Sequence, residues 1–192
     1  SDPGRMFLSA NPSPVPGRCW TVTLEGRRAL PVEVQALVGP PTSGSARRVT
    51  TGLATGRVDL LLAVLDRRTG ARLTGQDVYV ATVGGLRISE PAGDLATALA
   101  IGSACAEVPL PPAVGAVGEV GLDGDIRPVN GLRHRVAELA RDGAKRVLVP
   151  TVRADGEASL PSLDGCDLVE VATLHEAIVR AQRPAVTVLG PH

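Results

Sequence analysis

The order of apolar and polar positions along the chain predicts strands and helices in a mixed arrangement. Alternating or continuous apolar residues predict five strands, at 20–24, 29–38, 77–83, 146–149 and 168–171. Apolar residues at helical spacing predict four helices, at 57–68, at 90–106, from an Asn130 cap to a stop at Gly143, and at 174–181. Asp123-Gly124 lies between the apolar segments 114–122 and 126–129 and predicts a hairpin. Because strands first pair locally and then alternate with helices, we expect one mixed α/β (α+β) domain with flanking helices.

Proline, glycine and polar residues mark the segments between these elements. Residues 1–17 hold four prolines and two glycines and predict a linker arm, residues 18–183 the domain, and residues 184–192 a tail. A long polar loop is predicted at 39–56. Pro31 indicates that its strand lies at an edge or carries a bulge, and Ser89 is interpreted as a helix cap. Gly84-Gly85 either turns the chain back into 86–88 or continues a bulged strand.

Composition excludes several functional classes. Only Phe7, Trp20 and Tyr79 are aromatic, which excludes a stacking platform for single-stranded nucleic acid. No apolar stretch approaches the ~18 residues of a membrane span. The three cysteines form no C-x-x-C pair and the single lysine, Lys145, lies in no P-loop motif, so we predict neither a metal site nor a bound cofactor in this chain. Sparse cysteines without a charged-then-apolar leader favour the cytoplasm.

Charge is balanced overall but is distributed unevenly along the chain. Residues 1–96 carry 11 basic and 8 acidic side chains (+3), and residues 97–192 carry 9 and 12 (−3). Guanidinium groups are fork-shaped donors that suit phosphates, so the basic first half favours an anionic partner. The candidate DNA-contacting residues, on segments that can converge, are Arg27, Arg28, Arg47, Arg48, Arg57 and Arg127.

The stretch between residues 90 and 150 carries a more specific signal. It contains EPAGDLA at 90–96, an Ala-rich helix, Gly118-Glu119, the Asp123-Gly124 turn, Pro128, Gly131-Leu132 and LVP at 148–150. This order resembles, without a gap, the proteolytic domain of Lon-type proteases, which implies a single Lon-like domain with the fold of ribosomal-protein S5 domain 2. It is closer to the non-proteolytic version at the C-terminus of the bacterial RadA (Sms) DNA-repair family, which has a similar E-P-A-x-D-L-A helix start. This second resemblance covers about residues 6–182.

Both residues of the Lon catalytic dyad are replaced in this chain. The Lon nucleophile follows the proline of P-S-A-G, and here Pro91 is followed by Ala92, which has no hydroxyl. The Lon base is the lysine after Gly-Leu, and here that position is Arg133. A guanidinium with a pKa above ~12 does not give up its proton to activate a serine. We therefore predict no catalytic residue in this chain.

The resemblance implies a longer parent protein and a role for this part of it. The parent would be an ATP-driven motor that acts on DNA recombination intermediates, including branch migration, in rings that are expected to be hexameric. Its ATP, magnesium and zinc would bind in a RecA-like core and a zinc finger that this chain lacks. The domain itself would be a non-catalytic scaffold that contacts the DNA backbone weakly on its own and self-associates, with no membrane partner.

Two alternatives and several local interpretations remain open at this point. The chain could be a hydrolase or peptidase with an unconventional nucleophile such as Cys105, paired with His134 or His175, or a purely structural oligomerisation module. Asp94 lies in the first turn of a helix, where its charge suits the dipole, and an intersubunit contact is the alternative role for it. Asp123 and Asp125 are interpreted as turn residues.

Overall fold

Seven strands form one sheet, and a separate two-stranded hairpin packs beside it. The computed structural model describes residues 8, 13–151, 160 and 162–183. The strands are β1 (Arg18–Glu25), β2 (Arg28–Gly39), β3 (Arg48–Thr51), β4 (Asp77–Thr82), β5 (Val114–Ala116), β6 (Glu119–Val120), β7 (Ile126–Arg127), β8 (Arg146–Pro150) and β9 (Asp167–Val171). The helices are α1 (Thr55–Arg68), α2 (Asp94–Ala106), α3 (Leu132–Arg141) and α4 (Leu174–Ala181).

Six strands of the sheet run in one direction and β2 alone runs against them. The sheet order is β3-β4-β2-β1-β5-β8-β9, and β6 pairs with β7 in the hairpin. Strand β2 is antiparallel to both of its neighbours, whereas the pairs β3–β4, β1–β5, β5–β8 and β8–β9 are parallel. We call the end of the sheet at which the six parallel strands finish the carboxyl edge, and the opposite end the amino edge. Strand β2 therefore begins at the carboxyl edge.

The two faces of the sheet are covered to different extents. Helices α1, α2 and α4 cover one face, the inner face, where Val34 of β2, Val80 of β4 and Leu148 of β8 enter the larger core cluster. Helix α3 packs on the outer face against Val22 of β1 and Val147 of β8. Helix α3 also reaches the beginning of β2, where Ala29 joins the same cluster, whereas Leu37 of β2 and Val49 of β3 are exposed. The mixed α/β fold expected from the sequence is confirmed.

Helix α2 is the central helix of the inner layer. Every residue from Asp94 to Ile101 is buried, since the helix lies between the sheet and its two neighbouring helices. Small alanine side chains let these layers approach closely, which accounts for the Ala-rich composition of the segment. A short 3-10 turn, Pro91–Gly93, precedes the helix, and Pro91 at its start loses no hydrogen bond there.

Four local predictions from the sequence are wrong. The predicted loop at 39–56 contains strand β3, which is held by parallel pairing with β4. Gly84-Gly85 lies in a 3-10 turn that leads neither into a hairpin nor into a bulged strand. Asn130 does not cap α3, because the N-cap is Gly131 at φ 69°, and Ser89 provides no cap for the helix that follows it.

The remaining elements lie close to their predicted positions, and the ends of the chain fall largely outside the description. Pro31 pairs with Val22 of β1 on one side, while the β2–β4 pairing begins only at Val34, so the proline lies where β2 is locally an edge. Gly17, in the predicted arm, donates its N–H to Ser103 Oγ at 3.0 Å and accepts the Ala36 N–H at 2.7 Å. Residues 1–7, 9–12 and 184–192 lie outside the described residues.

Candidate nucleic-acid interface

The position that matches the Lon nucleophile is closed to solvent. Ala92 is 1% exposed and packs in the outer-face cluster with Val22, Leu132 and Val136. Arg133, at the position of the Lon base, is exposed in the first turn of α3. The two replaced positions thus differ in access: one lies inside the core and the other points a cation at solvent.

A buried arginine that sequence analysis missed lies next to this position. Arg135 is 1% exposed and forms a bidentate ion pair with Glu90, at 2.8 and 2.5 Å. Its guanidinium also donates to the backbone carbonyls of Val22 (2.8 Å) and Asn130 (2.9 Å), so it joins α3 to β1 and to the turn that holds Ala92. Burial acts to raise the pKa of Glu90, but hydrogen bonds from Arg135 and from the Leu24 N–H prevail, and its pKa lies below the usual range.

A second ion pair engages Arg57, whose side chain stays about one-third exposed. Arg57 at the start of α1 donates to both carboxylate oxygens of Asp94, with Nε at 2.8 Å, and Asp94 also accepts the Val120 N–H at 3.2 Å. Asp94 is 3% exposed, and this burial raises its pKa in spite of the Arg57 bond. The bond to Asp94 raises the pKa of Arg57, which stays a cation. The pair links α1, α2 and β6 within one chain, beside an apolar cavity of about 110 Å³.

Two more of the arginines predicted to contact DNA are paired with carboxylates. Arg48 lies 3.1 Å from Asp59 of α1, and Arg127 lies 3.1 Å from Asp123 in the hairpin turn. Asp123 also accepts the Asp125 N–H, and that hydrogen bond together with Arg127 holds the pKa of Asp123 below its usual range. These pairs are exposed, so they weaken rather than abolish the attraction of each arginine for a phosphate.

The six predicted arginines do not form one patch. Arg27 and Arg28 lie in the β1–β2 turn at the carboxyl edge, whereas Arg47 and Arg48 lie at the beginning of β3, at the amino edge. Arg48 is in register with Val78, and Val78 is in register with Val38, ten residues along β2 from Arg28. At about 3.3 Å per residue, the two arginine pairs are separated by roughly 33 Å.

Asp77 fixes the loop that leads to Arg47 and Arg48 at the amino edge. This buried carboxylate accepts the N–H groups of Arg47 (2.8 Å) and Thr42 (3.1 Å), and the Thr42 hydroxyl at 3.0 Å. The hydrogen bonds from the Arg47 and Thr42 backbone lower the pKa of Asp77.

Two arginines that sequence analysis did not select join Arg27 and Arg28 at the carboxyl edge. The carbonyl of Arg87 accepts the Thr23 hydroxyl at 3.4 Å, just before the β1–β2 turn. Arg133 lies in the first turn of α3, and the N-cap of that helix, Gly131, approaches Leu24 at the end of β1. The unpaired arginines of the carboxyl edge are exposed and have no carboxylate within 4.0 Å in the described part of the chain: Arg27, Arg28, Arg87 and Arg133. Sequence position alone gives no signal that brings them together.

The carboxyl edge carries positive charge from its arginines and helix N-termini, beside the exposed carboxylate of Glu25 at the end of β1. Helices α1, α2 and α4 follow strands that end there, and α3 starts beside the end of β1, so four helix N-termini lie at this edge. Each N-terminus carries a partial positive charge, which adds to that of the arginines. Asp94 and Glu176 offset the partial charges at the starts of α2 and α4, whereas α1 and α3 have no acidic residue in their first turns.

The residues considered for covalent catalysis or metal binding lie apart from one another. The Cys105 thiol contacts the Arg72 carbonyl at 3.9 Å, and neither His134 nor His175 is hydrogen-bonded to it. His134 is exposed, as expected from the polar face of its helix. Within the described ranges, no cluster of three or more His, Cys, Asp or Glu side chains could hold a metal ion, and no helix is long and apolar enough to cross a bilayer.

The sequence of this chain is similar to those of several known proteins. A family model described as subunit ChlI of Mg-chelatase matches residues 80–153. The DNA repair protein RadA of Mycobacterium tuberculosis is 47% identical over 149 residues, which cover 78% of this chain and 31% of that protein. RadA of Mycolicibacterium smegmatis is 40% identical over 186 residues, and RadA of Bacillus subtilis is 39% identical over 177 residues; these cover 97% and 92% of this chain.

The chain belongs to the RadA family. It spans about a third of the length of the RadA proteins it matches, between 31% and 38%. The match to RadA covers most of this chain, and it agrees with the resemblance seen in the EPAGDLA segment and at the Gly131-Leu132 helix start. A role in DNA repair is what the names of these relatives state.

Proposed function

We propose that this chain is a non-catalytic scaffold and DNA-binding domain of a RadA-type repair protein. The unpaired arginines of the carboxyl edge contact the phosphate backbone of duplex DNA. The observation that carries the proposal is the presence of four exposed guanidinium groups, none with a carboxylate partner, at the edge where four helices begin.

The chemistry of these side chains determines what kind of DNA contact they make. Guanidinium groups donate two parallel hydrogen bonds to phosphate oxygens, which position a protein on DNA without reading its sequence. Trp20 and Tyr79 are the only aromatic side chains among the described residues. Both lie on the outer face of the sheet, away from the carboxyl-edge arginines. Without base stacking, binding is largely independent of sequence and favours duplex over flexible single strands.

The absence of catalysis in this proposal follows from two side chains. Ala92 has no hydroxyl, and Arg133 carries a guanidinium where the Lon dyad has a lysine amine. In the longer RadA proteins, ATP, magnesium and zinc would bind in parts that lie outside this chain, and the parent would act as an ATPase on recombination intermediates. This domain would contribute DNA contacts and assembly into a ring, whose copies multiply a weak individual affinity.

Titration of fluorescent duplex DNA with this chain, at several salt concentrations, tests the proposal. Each phosphate neutralised adds about 0.9 to the slope of log affinity against log salt, so engagement of the four arginines gives a slope of about −3 to −4. The same chain should bind a random-sequence duplex equally well. Absence of binding at low salt would overturn the DNA-binding part and leave an assembly module.

A further inference from the structure

The unpaired arginines of the carboxyl edge lie on three separate segments of the chain. Arg27 and Arg28 belong to the β1–β2 turn and the first position of β2. Arg87 lies in the segment between β4 and α2, and Arg133 lies in the first turn of α3. By the alternation of β2, Arg28 shares the inner face with Val32, whereas α3 packs on the outer face. The arginines therefore approach the edge from both sides of the sheet.

Strand β1, at the centre of this edge, lacks a neighbouring strand on one side. It pairs with β2 along its whole length, but with β5 only at Trp20. The Val22 carbonyl and the Leu24 N–H come after that point, and no strand pairs with them on the β5 side. Backbone groups in such a position must find side-chain partners, because an unpaired buried donor or acceptor is costly.

Glu90 and Arg135 take the place of the missing strand. The Glu90 carboxylate accepts the Leu24 N–H at 2.9 Å, and the Arg135 guanidinium donates to the Val22 carbonyl at 2.8 Å. The two side chains hold each other through the bidentate ion pair at 2.8 and 2.5 Å. Two parallel hydrogen bonds fix direction as well as distance, so this pair is a rigid connection across the edge.

The carboxylate of Glu90 is the point at which the three arginine-bearing segments meet. Arg87 precedes Glu90 by three residues, and Arg133 precedes Arg135 by two. The β1–β2 turn, which carries the other two arginines, begins two residues after Leu24. Each arginine is therefore close in sequence to a group that the Glu90–Arg135 pair holds.

We propose that Glu90 is a positioning residue for the DNA surface, which sets the spacing of the four unpaired arginines without contacting phosphate itself. The phosphates of a duplex have fixed positions, so arginines already held at matching positions lose less conformational freedom on binding. A flexible polyanion adapts its own phosphates to the arginines and gains little from such positioning. The inference rests on the proposed function, because it concerns the same arginines.

Binding to two polyanions of different stiffness tests this role. The 192-residue chain and its variants are titrated against a fluorescent DNA duplex and against fluorescently labelled inorganic polyphosphate, at one low salt concentration. Glu90→Gln removes one negative charge together with the ion pair. The matched control, Glu25→Gln, removes one exposed negative charge at the same edge, and Glu25 has no ion pair in the described part of the chain.

The two glutamine variants should differ on duplex DNA and agree on polyphosphate. Each loses one repulsive charge, so both should bind polyphosphate somewhat more tightly than the wild type, and alike within about twofold. Glu90→Gln should bind the duplex roughly tenfold more weakly than Glu25→Gln, because its arginines are no longer held in place.

Glu90→Asp separates position from charge. It keeps the net charge, but its carboxylate is withdrawn by one C–C bond, about 1.5 Å, and no longer reaches both the Leu24 N–H and the Arg135 guanidinium. We expect duplex binding to weaken roughly threefold or more while polyphosphate binding stays at the wild-type value; Glu25→Asp should change neither. Circular dichroism checks the fold of each variant, and if Glu90→Gln does not fold, the aspartate variants decide.

The failure of this inference is distinguishable from the failure of the proposed function. A wild type that does not bind duplex DNA would overturn the proposed function and the positioning role with it. A wild type that binds, with Glu90 variants that change duplex and polyphosphate binding in the same ratio as the Glu25 variants, would overturn the positioning role alone. The arginines would then remain DNA contacts that need no fixed spacing.

Discussion

The guanidinium of Arg57 donates to both carboxylate oxygens of Asp94, so an arginine expected to face DNA is engaged in an ion pair within the chain, with about a third of its side chain exposed. Asp94 is buried, and it also accepts the Val120 N–H at 3.2 Å. The pair therefore joins the beginnings of α1 and α2 to the hairpin, and gives Asp94 a role within the chain. Loss of either member leaves a charge or a backbone donor without its partner.

Replacement of Asp94 by alanine should destabilise the fold. We expect Asp94→Ala to lower the free energy of unfolding by about 2 kcal/mol, because the Val120 N–H stays buried while the one-third exposed Arg57 is partly resolvated. Urea unfolding followed by the fluorescence of Trp20, the only tryptophan, measures this. Asp59→Ala, which removes an exposed ion pair with Arg48, is the control and should cost less than about 0.5 kcal/mol. Equal costs for the two variants would contradict the assignment.

Two arginines on the first turns of α3 should differ sharply in their effect on stability. Arg135→Ala removes a buried cation from Glu90 and from two carbonyls, and we expect a loss of about 3–4 kcal/mol. Arg133→Ala removes an exposed side chain two residues away and should be neutral within about 0.5 kcal/mol. The same urea unfolding applies to both. A large loss on Arg133→Ala would show that this side chain is structural and not available to DNA.

The contrast between Arg133 and Arg135 shows which parts of the fold could be predicted from the sequence. Helix α3 was predictable from its apolar period, and Arg135 shares that period with Leu132, Val136 and Leu139, which was an available signal that it is buried. Strand β3 was not predictable, because its four residues are defined by pairing with β4, a partner distant in sequence.

The arginine patch was only partly accessible from the sequence. Arg27 and Arg28 were selected, but the charge count could not show that β2 carries the chain roughly 33 Å away before Arg47. Nor could it show that Arg57 would find Asp94, since ion pairs between distant residues depend on the tertiary fold. Arg87 joins the edge through the 3-10 turn that the structure has where either a hairpin or a bulged strand was predicted at Gly84-Gly85.

Acid should destabilise the fold in part through Asp77. The pKa of Asp77 is lower in the folded than in the unfolded state, so the unfolded state binds more protons near the ordinary pKa of about 4. The contribution of Asp77 to the free energy of unfolding is complete above that ordinary pKa, and it is lost as the pH falls through the lower pKa that Asp77 has in the folded state. Asp77→Asn should be less stable at neutral pH and should lose less stability than the wild type on acidification.

Unfolding measured in urea from neutral to acidic pH checks the role of Asp77. The difference between the unfolding free energies of wild type and variant at each pH gives the contribution of Asp77. It separates that contribution from those of Glu90, Asp66 and Asp123, whose pKa values are also lowered. Asp59→Asn is the matched control for loss of one negative charge. Parallel stability curves for wild type and Asp77→Asn would contradict the prediction.

Restoring the Lon dyad should not restore proteolysis. Ala92→Ser with Arg133→Lys supplies a hydroxyl and a titratable amine, but the hydroxyl would lie in a site that is 1% exposed. Substrate has no access there, and proximity alone recovers little without a preorganised oxyanion site. We expect a folded protein with no detectable peptidase activity on a fluorogenic casein substrate. Robust cleavage by the unmodified chain would refute the non-catalytic assignment.

The salt dependence of DNA binding by two double variants tests the central claim most directly. Arg27→Ala with Arg28→Ala removes half of the unpaired arginines at the carboxyl edge, and Arg47→Ala with Arg48→Ala removes the same charge at the amino edge. The account predicts that the first variant loses about 2 from the slope of log affinity against log salt, with an unchanged melting temperature, while the second keeps the wild-type slope. A normal slope in the first variant and a reduced slope in the second would place the DNA at the amino edge and contradict the account.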